Sequence, residues 1–237
     1  MTNSVHTNNS ALIALQNLNK TNDRLADVQN RVNTGLKVNG AKDNASIWAI
    51  AQGQRADMSA LSAVKMSLDR ATSVVDVALA AGENISDLLN QLKEKVVAAT
   101  DESLKTQSRE LLDADFQAIL RAIQQAAENA EFDGSNLLDG SLTNGIRFLA
   151  NAEADAFITL SSKDLSLSGS IITITTSSNL QTVTEANDVL ALLDASIDNL
   201  NSALGEMGSQ GKQIAAHNTF VSKLQDTLET GIGNLVD

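Results

Sequence analysis

The sequence has no cysteine, no proline and no tyrosine in 237 residues, and it has only one Trp and five Phe. Without cysteine, a disulfide framework, a thiolate metal site and a thiol nucleophile are excluded. Without proline, no residue of the type that breaks helices interrupts the chain. Hydrophobic residues still make up 43% of the sequence, nearly all of them aliphatic. The composition therefore predicts a mainly helical protein with a closely packed aliphatic core.

Basic residues are also scarce, with 17 Lys and Arg against 29 Asp and Glu, for a net charge of −12. Nucleic-acid backbones and anionic membrane surfaces would repel such a chain, so we expect neither as a partner. The apolar stretches are too short and interrupted to span a bilayer, so no membrane insertion is expected. Residues 1–10 lack the basic cluster and apolar stretch of a Sec signal peptide. If the protein leaves the cytoplasm, we expect another export route.

Two heptad patterns are the clearest signals in the sequence. The first consists of Leu61, Leu68, Val75, Gly82, Leu89 and Val96, with Val64, Ala71, Ala78, Ile85, Leu92 and Ala99 in a companion row. The second consists of Leu193, Leu200, Met207, Ile214, Val221, Leu228 and Leu235, with Leu190, Ile197, Leu204 and Ile232 in a companion row. Such seams predict long helices that pack lengthwise as an elongated antiparallel helical rod or coiled coil.

Small and polar residues within the seams predict how these helices meet. Ala71, Ala78 and Gly82 would let a partner helix approach closely. Asn218 and Gln225 interrupt the second companion row, and a polar residue in a seam usually fixes the register or the partner. We therefore predict that both pin the alignment of the C-terminal helix.

The segment between the seams combines a third helix with a small β-hairpin region. The helix is indicated by Leu112, Phe116, Ile119, Ile123, Ala126 and Ala130, which alternate by fours and threes. In residues 132–181 the pattern changes to turn signals and to runs that favour strands, around Phe157, Ile158 and Leu160 and around Ile171, Ile172 and Ile174. This region is too short to form a large core of its own, so we expect it to cap one end of the rod.

The first segment carries a weaker apolar stripe, made of Ala11, Leu15, Leu18, Leu25, Val28 and Val32. Asn22 and Gln29 fall within it. A short isolated stripe buries too little surface to offset the ordering of the backbone. We expect this segment to be disordered until another surface covers it: a partner, a neighbouring copy or the chain's own helices.

No pattern in the sequence indicates an enzyme, a cofactor or a metal. The two histidines, His6 and His217, lie far apart, and a zinc site would need carboxylates beside only these two imidazoles. The Gly-rich residues 205–212 lack the spacing of a phosphate-binding loop and continue a heptad pattern. Carboxylates are plentiful, but no pair stands out for acid and base roles.

Three stretches resemble bacterial flagellins: NNSAL at residues 8–12, LNKTN at 18–22 and, most specifically, VQNRVNTGLKVNGAKDNA at 28–45. FDGSNLLDG at 132–140 is similar to the turn that follows the family's third inner helix, and residues 198–228 are similar to its C-terminal rod helix. The resemblance covers nearly the whole chain, without the outer variable domains of larger flagellins. The residues Ile47 and Trp48, where Gly-Leu is more frequent, are similar to alphaproteobacterial flagellins.

The resemblance implies a structural subunit that polymerises into the extracellular flagellar filament for motility. It also implies export unfolded by the flagellar type III apparatus with a secretion chaperone, and contact with hook-associated and cap proteins. The assembly residues would be Leu15, Leu18, Leu25, Val28, Arg31, Val32, Asn39, Asp43 and Trp48. A hook-filament junction protein is the alternative, but its middle region is usually longer. A generic coiled-coil adaptor would explain the heptads but not the block from Arg31 to Asp43.

The resemblance also implies a division of the chain into four segments. These are an assembly-dependent terminal segment at residues 1–40, rod helices at 41–131, the small β region at 132–181, and a C-terminal rod helix at 182–237. In the block from Arg31 to Asp43, we expect Gly35 to end the first helix and Asn39 with Asp43 to cap the second. Arg31 could serve a subunit contact or a local carboxylate, and Trp48 could be a subunit anchor or a core residue.

Two departures from the family carry expectations of their own. Flagellins normally continue past a position like Asp237 with a terminal helix that pairs with the N-terminal one, so we expect a truncated version that forms no normal filaments. Flagellins sensed by the flagellin-specific Toll-like receptor have an Arg and a Leu where this chain has Gln91 and Lys95, whereas the acidic position is kept as Asp115. Loss of a bidentate donor and an apolar anchor predicts weak innate sensing.

Overall fold

The computed structural model describes residues 8–237. The helices are α1 (Asn9–Thr34), α2 (Ala45–Ala99), α3 (Thr106–Glu128) and α4 (Val183–Val236), and the strands are β1 (Glu131–Phe132), β2 (Ser135–Asn136), β3 (Ile146–Leu149) and β4 (Phe157–Leu160). The strands form two antiparallel pairs, β1 with β2 and β3 with β4. The predicted fold class, mainly helical with a small β-hairpin region, is confirmed. No helix in the described part of the chain is long and apolar enough to cross a membrane.

The chain divides into two compact units, which are described separately below. The first unit comprises Met1–Ala60 and Lys223–Asp237, and the second comprises Leu61–Ser222. In the second unit, α2 and α4 run antiparallel, because low residue numbers in α2 pair with high ones in α4. Asn218 Nδ2 donates to Asp69 Oδ1 over 2.6 Å, and Lys93 Nζ lies 2.7 Å from Asp194 Oδ1.

The seams form the core of the second unit. All twelve seam positions of α2 from Leu61 to Ala99 are buried. On α4, Leu193, Leu200, Met207, Ile214 and Val221 are buried, whereas Leu228 is half-buried in the first unit.

The companion row of α4 differs from the prediction. In the first half of the helix the buried residues are Val189, Ser196 and Ala203, each one position before the predicted Leu190, Ile197 and Leu204, which are half-buried. The cause is the segment that precedes α4, which packs on the same helix. Ser196 Oγ, for example, accepts a hydrogen bond of 3.0 Å from the Thr173 backbone N–H.

A buried arginine holds the turn between α2 and α3. The Arg109 side chain donates to the Ala99 carbonyl oxygen and, over 3.0 Å, to the Asp101 carbonyl oxygen. Carbonyl groups at the end of a helix have no partner within the helix. Arg109, with 6% of its surface exposed, therefore closes the C-terminal end of α2.

The β1–β2 hairpin turns on Asp133 and Gly134, which have φ angles of 49° and 75°. Positive φ at both central residues is the conformation that favours Asp-Gly in two-residue hairpins. Asn136, which follows this turn, is buried. Its Nδ2 donates to the Ala127 and Glu128 carbonyl oxygens at the end of α3, and its Oδ1 accepts from the Leu138 N–H.

Two expectations about residues 132–181 are wrong. No strand forms at Ile171, Ile172 and Ile174; instead, side chains of α4 satisfy this backbone, as when Asn199 Nδ2 donates to the Ile171 carbonyl oxygen. The region also does not cap one end of the second unit. Its contacts range from Ser67, whose Oγ accepts from the Leu149 N–H, to Gln117, whose Nε2 donates to the Ser178 carbonyl oxygen. Buried Ile172 and Ile174 explain why a strand pattern appeared.

Candidate functional site: assembly surfaces

The α1 stripe is a regular helix face that none of the described residues buries. The Asn8 side chain caps its start by accepting from the Ala11 N–H, and no residue of α1 is buried. Leu18 is 56% exposed and Val32 is 75% exposed, and the other stripe leucines and Val28 are exposed to a similar degree. The structure therefore has a helix where the sequence indicated disorder in the absence of a cover. Of the covers left open, the chain's own helices do not supply one.

The junction between α1 and α2 is tightly hydrogen-bonded. Gly35 has a φ of 72° and its N–H donates to the Arg31 carbonyl oxygen, which is the predicted helix end. Asp43 Oδ2 accepts from the N–H groups of Asn39 and Gly40 over 2.9 and 3.1 Å. The cap of α2 is Asn44, whose Oδ1 accepts from the Ile47 N–H over 3.1 Å.

The expectation that Asn39 and Asp43 cap α2 is thus wrong, and the cap is the residue that follows Asp43. The Asp43 side chain bonds the loop before α2 instead of the helix. Its neighbour Asn44 is also a good N-cap residue. Arg31 makes no ion pair with any described carboxylate. Of the two roles left open for Arg31, the structure does not supply the local carboxylate.

The junction is anchored to the end of α4 within the first unit. The N–H groups of Lys37 and Val38 donate to the Val236 carbonyl oxygen over 2.7 and 3.0 Å. Leu36 packs against a small core formed by Ala51, Ile232 and Val236. The junction from which α1 leaves is therefore held by packed side chains and by backbone hydrogen bonds.

A second apolar surface lies at the start of α2. Trp48 and Ile47 are partly exposed, and Ile50 is 54% exposed. Trp48 is therefore not fully buried. We call Ile47, Trp48 and Ile50 the Trp48 patch.

The positions compared with receptor-sensed flagellins lie on α2 and α3. Gln91 is exposed, and Lys95 Nζ lies 3.0 Å from Asp115 Oδ2. The hydrogen bond to Asp115, followed by its charge, raises the pKa of Lys95. The acidic side chain kept at 115 is therefore engaged by the lysine that stands in place of the expected apolar residue.

Several buried polar residues of the second unit were not found from the sequence. Arg109, Asn136 and Ser196 are buried and polar, and each bonds backbone groups. For Asn136 a signal was present, since it lies inside the FDGSNLLDG motif between two turn signals. Arg109 and Ser196 lie in ordinary helical sequence, which carries no sign of a buried partner.

The structure also places the remaining polar candidates. His6 lies outside the described residues. His217 Nε2 lies 2.7 Å from the Ala150 carbonyl oxygen, so it anchors the β3–β4 hairpin to α4. Asn218 and Gln225 contact α2 through Asp69 and the Met58 carbonyl oxygen. The residues from 8 to 237 contain no group of three or more His, Cys, Asp or Glu that could hold a metal ion.

Comparison with known proteins shows the family. The profile described as "Bacterial flagellin N-terminal helical region" matches residues 5–143. Flagellin FljJ of Caulobacter vibrioides is 49% identical over 238 residues, which cover 99% of this chain and 84% of that protein. The flagellin of Brucella melitensis is 34% identical over 246 residues, which cover 99% of this chain and 85% of that protein. The chain belongs to the bacterial flagellin family and is similar to short alphaproteobacterial members of it.

Two solved structures share the fold. The Bacillus cereus flagellin structure has a TM-score of 0.57 at 21% identity and covers 65% of this chain and 88% of that one. A putative flagellar hook-associated protein from Vibrio parahaemolyticus has a TM-score of 0.63 at 13% identity and covers 82% of this chain and 100% of that one. At such identities the likeness shows the fold alone. The relatives of higher identity are flagellins, and the chain is therefore a structural subunit of the flagellar filament.

Proposed function

We propose that the α1 stripe is the surface through which this flagellin subunit joins its filament. The observation that supports it is a capped helix whose apolar side chains all remain exposed. Burying an aliphatic side chain of this size contributes about 1.5–3 kcal/mol of favourable free energy relative to leaving it exposed. Burial of several such residues by neighbouring copies would therefore stabilise their association. The Trp48 patch, together with Arg31, extends this contact.

The test is to add charge on the stripe and, as a control, on the opposite face of α1. Leu18→Glu with Leu25→Glu changes the net charge by −2, as does the control Gln16→Glu with Lys20→Gln. We expect both double variants to unfold as the parent does, because these side chains are exposed. Both variants are tested in the chain extended by the terminal helix expected above, and only the stripe variant should then fail to extend filaments in electron micrographs. Normal filaments from the stripe variant would overturn the proposal.

We further infer that the subunit reaches the cell exterior through the flagellar export apparatus, assisted by a secretion chaperone. Assembly then takes place between the hook-associated proteins and the cap. Membership of a filament-forming family supports this route. In cells whose flagellar export gate is deleted, the protein should accumulate inside. Its appearance in the medium of such cells would contradict the route.

We also infer weak contact with the flagellin-sensing Toll-like receptor. Gln91 offers no guanidinium, and Asp115 is engaged by Lys95 at 3.0 Å. The test compares the parent with Gln91→Arg plus Lys95→Leu in a receptor-reporter assay. The double variant should give the stronger response. A parent response equal to that of an enteric flagellin would refute the inference.

A further inference from the structure

Two Asn-Gly pairs occur in the sequence, Asn39–Gly40 in the junction between α1 and α2 and Asn144–Gly145 before β3. Asn is one of the thermolabile residues of proteins. A Gly that follows it favours spontaneous deamidation, because glycine has no Cβ to keep its nitrogen away from the Asn side chain. Both Asn side chains are exposed. The surroundings of the Gly nitrogen therefore decide between the two sites.

The reaction is an attack of the chain on its own side chain. The Gly nitrogen loses its proton to the solvent and attacks the Asn Cγ, so that an N–Cγ bond forms. The Cγ–Nδ2 bond then breaks, and ammonia leaves with a proton taken from the solvent. Water opens the resulting cyclic imide at either carbonyl, which gives Asp or isoaspartate. The nitrogen must therefore be free to lose its proton and to approach Cγ.

The Gly145 nitrogen is held by the backbone of the β3–β4 hairpin. Its N–H donates to the Leu142 carbonyl oxygen over 3.2 Å. A Cβ at Gly145 would overlap the Leu160 carbonyl oxygen, so the Gly145 backbone packs directly against the end of the opposite strand. Movement of this nitrogen towards the Asn144 side chain therefore requires the start of the hairpin to open.

The Gly40 nitrogen is held by one side-chain atom. Its N–H donates to Asp43 Oδ2 over 3.1 Å, and the same oxygen accepts from the Asn39 N–H over 2.9 Å. A Cβ at Gly40 would meet nothing within 4 Å, so no packed group surrounds this part of the backbone. The Asp43 side chain is itself exposed. Rotation of that side chain is enough to free the nitrogen.

We propose that Asn39 is the site of spontaneous deamidation in the folded subunit and that Asp43 sets its rate. While Asp43 Oδ2 is bonded to the Gly40 N–H, it opposes the reaction in two ways. It engages the proton that must leave, and its negative charge disfavours the negative charge that develops on the nitrogen. Both restraints are lost when the side chain rotates away.

The product alters the junction that carries the α1 stripe. Asn39 lines a cavity with four charged residues, Asp27, Arg31, Lys42 and Asp43. Deamidation adds a third carboxylate to this cavity. Isoaspartate also adds one backbone carbon directly after Val38, whose N–H donates to the Val236 carbonyl oxygen over 3.0 Å. An aged subunit therefore differs from a new one in charge and in backbone length at the base of α1.

Tryptic mapping of the folded chain, incubated at mildly alkaline pH, tests the site. Trypsin releases residues 38–42, in which Asn39 is the only Asn, and residues 122–147, in which fragment spectra locate Asn144. Deamidation should be about tenfold faster at Asn39 than at Asn144, because only Asn144 needs local opening of the hairpin. In the chain unfolded by urea the two rates should be similar. Digestion in ¹⁸O-water marks any conversion that occurs during digestion itself.

Substitutions at the junction test the role of Asp43. Asp43→Ala should accelerate conversion of Asn39 about tenfold, because it removes a negative charge 3.1 Å from the Gly40 nitrogen. Asp43→Asn keeps an acceptor without the charge, so its rate should lie between those of Asp43→Ala and the parent. Asp27→Ala is the matched control, since it removes the same charge from the same cavity but leaves the Gly40 N–H bonded. Its rate should equal that of the parent.

The Gly40→Ala variant tests the nucleophile. The new Cβ points into open space, so the fold should be kept, whereas conversion of Asn39 should slow about tenfold. Circular dichroism of every variant checks the fold. If Asp43→Ala loses helical signal, Asp43→Asn and Gly40→Ala decide in its place, and parent rates in both would overturn the proposal.

The remaining outcomes are equally direct. A folded chain that deamidates at Asn144 as fast as at Asn39 would overturn the assignment of the site. Equal rates in Asp43→Ala and Asp27→Ala would overturn the role of Asp43. Since all rates are measured on the free subunit, neither result bears on the filament role of the chain.

Discussion

Gly82 of α2 lies directly against the Leu204 side chain of α4, so that a Cβ at position 82 would overlap Leu204 Cδ2. The close approach predicted from the small seam residues is therefore real at this point. We expect Gly82→Ala to be less stable than Gly205→Ala by about 1–2 kcal/mol in urea unfolding, because overpacking offsets the gain in helix propensity. Gly205 is the matched control, since a Cβ there meets nothing within 4 Å. Equal stabilisation of both variants would show that Leu204 moves aside freely.

Removal of the Arg109 side chain should destabilise the second unit. Arg109→Ala leaves the Ala99 and Asp101 carbonyl groups without their charged donor, and we expect the free energy of unfolding to fall by about 2–4 kcal/mol. Arg109→Lys keeps one charge but not the two-armed donor, so its loss should be intermediate. Arg121→Ala, an exposed change on the same helix, should stay within about 0.5 kcal/mol of the parent. Thermal unfolding followed by circular dichroism would measure all three.

The turn between α2 and α3 should respond to acid through Asp101. Hydrogen bonds from the Ser103 backbone and then from its side chain lower the pKa of Asp101 below the ordinary 3.8. A lowered folded-state pKa contributes stability above the unfolded value, and this contribution is lost as the pH falls through the folded value. The stability gap between the parent and Asp101→Asn should therefore be constant above pH 3.8 and narrow below it. Parallel unfolding curves through the acid range would contradict this assignment.

The pH dependence of stability has the opposite sign for Lys95, whose pKa is raised above 10.5 by Asp115. A raised folded-state pKa contributes stability below 10.5, and the contribution disappears as the pH rises through the folded value. The difference in the free energy of unfolding between the parent and Lys95→Gln should decrease only in that alkaline range. Asp115→Asn should remove the effect, because it removes the partner.

Trp48 gives a direct optical measure of assembly, because it is the only Trp in a chain without Tyr. In the free subunit it is partly exposed. If the Trp48 patch joins the subunit contact, filament formation should shift its emission to shorter wavelength and reduce quenching by acrylamide. Trp48→Phe should remove the signal. Filaments whose emission matches that of the free subunit would place the patch outside the contact.

The long helices could be predicted because one physical pattern repeats along them. A side chain every three or four residues must be buried for a helix to pack, and on α2 every predicted seam position from Leu61 to Ala99 is buried. The end of α1 was also predictable, since Gly35 readily adopts the left-handed conformation. Both features depend on local sequence and on one partner helix only.

Features that depend on several partners were not predictable. Ile172 and Ile174 look like strand residues because they are β-branched, and both are buried. The backbone of this segment pairs with no strand: the Thr173 N–H donates to Ser196 Oγ of α4, and the Ile174 carbonyl oxygen accepts from the Ser168 N–H. The one-residue error in the companion row at Ser196 has the same origin. Asp43 and Asn44 are equally suitable as helix caps, and only the position of the preceding loop decides between them.

The small core of Ala51, Ile232 and Val236 draws on both ends of the sequence. A polypeptide that leaves the proposed export apparatus with its first residues leading could not complete this core until Ile232 and Val236 had followed. The seam residues of the second unit, by contrast, all lie between the two ends. Under the proposed export route, the seam core of the second unit should therefore form before the junction beside α1 closes.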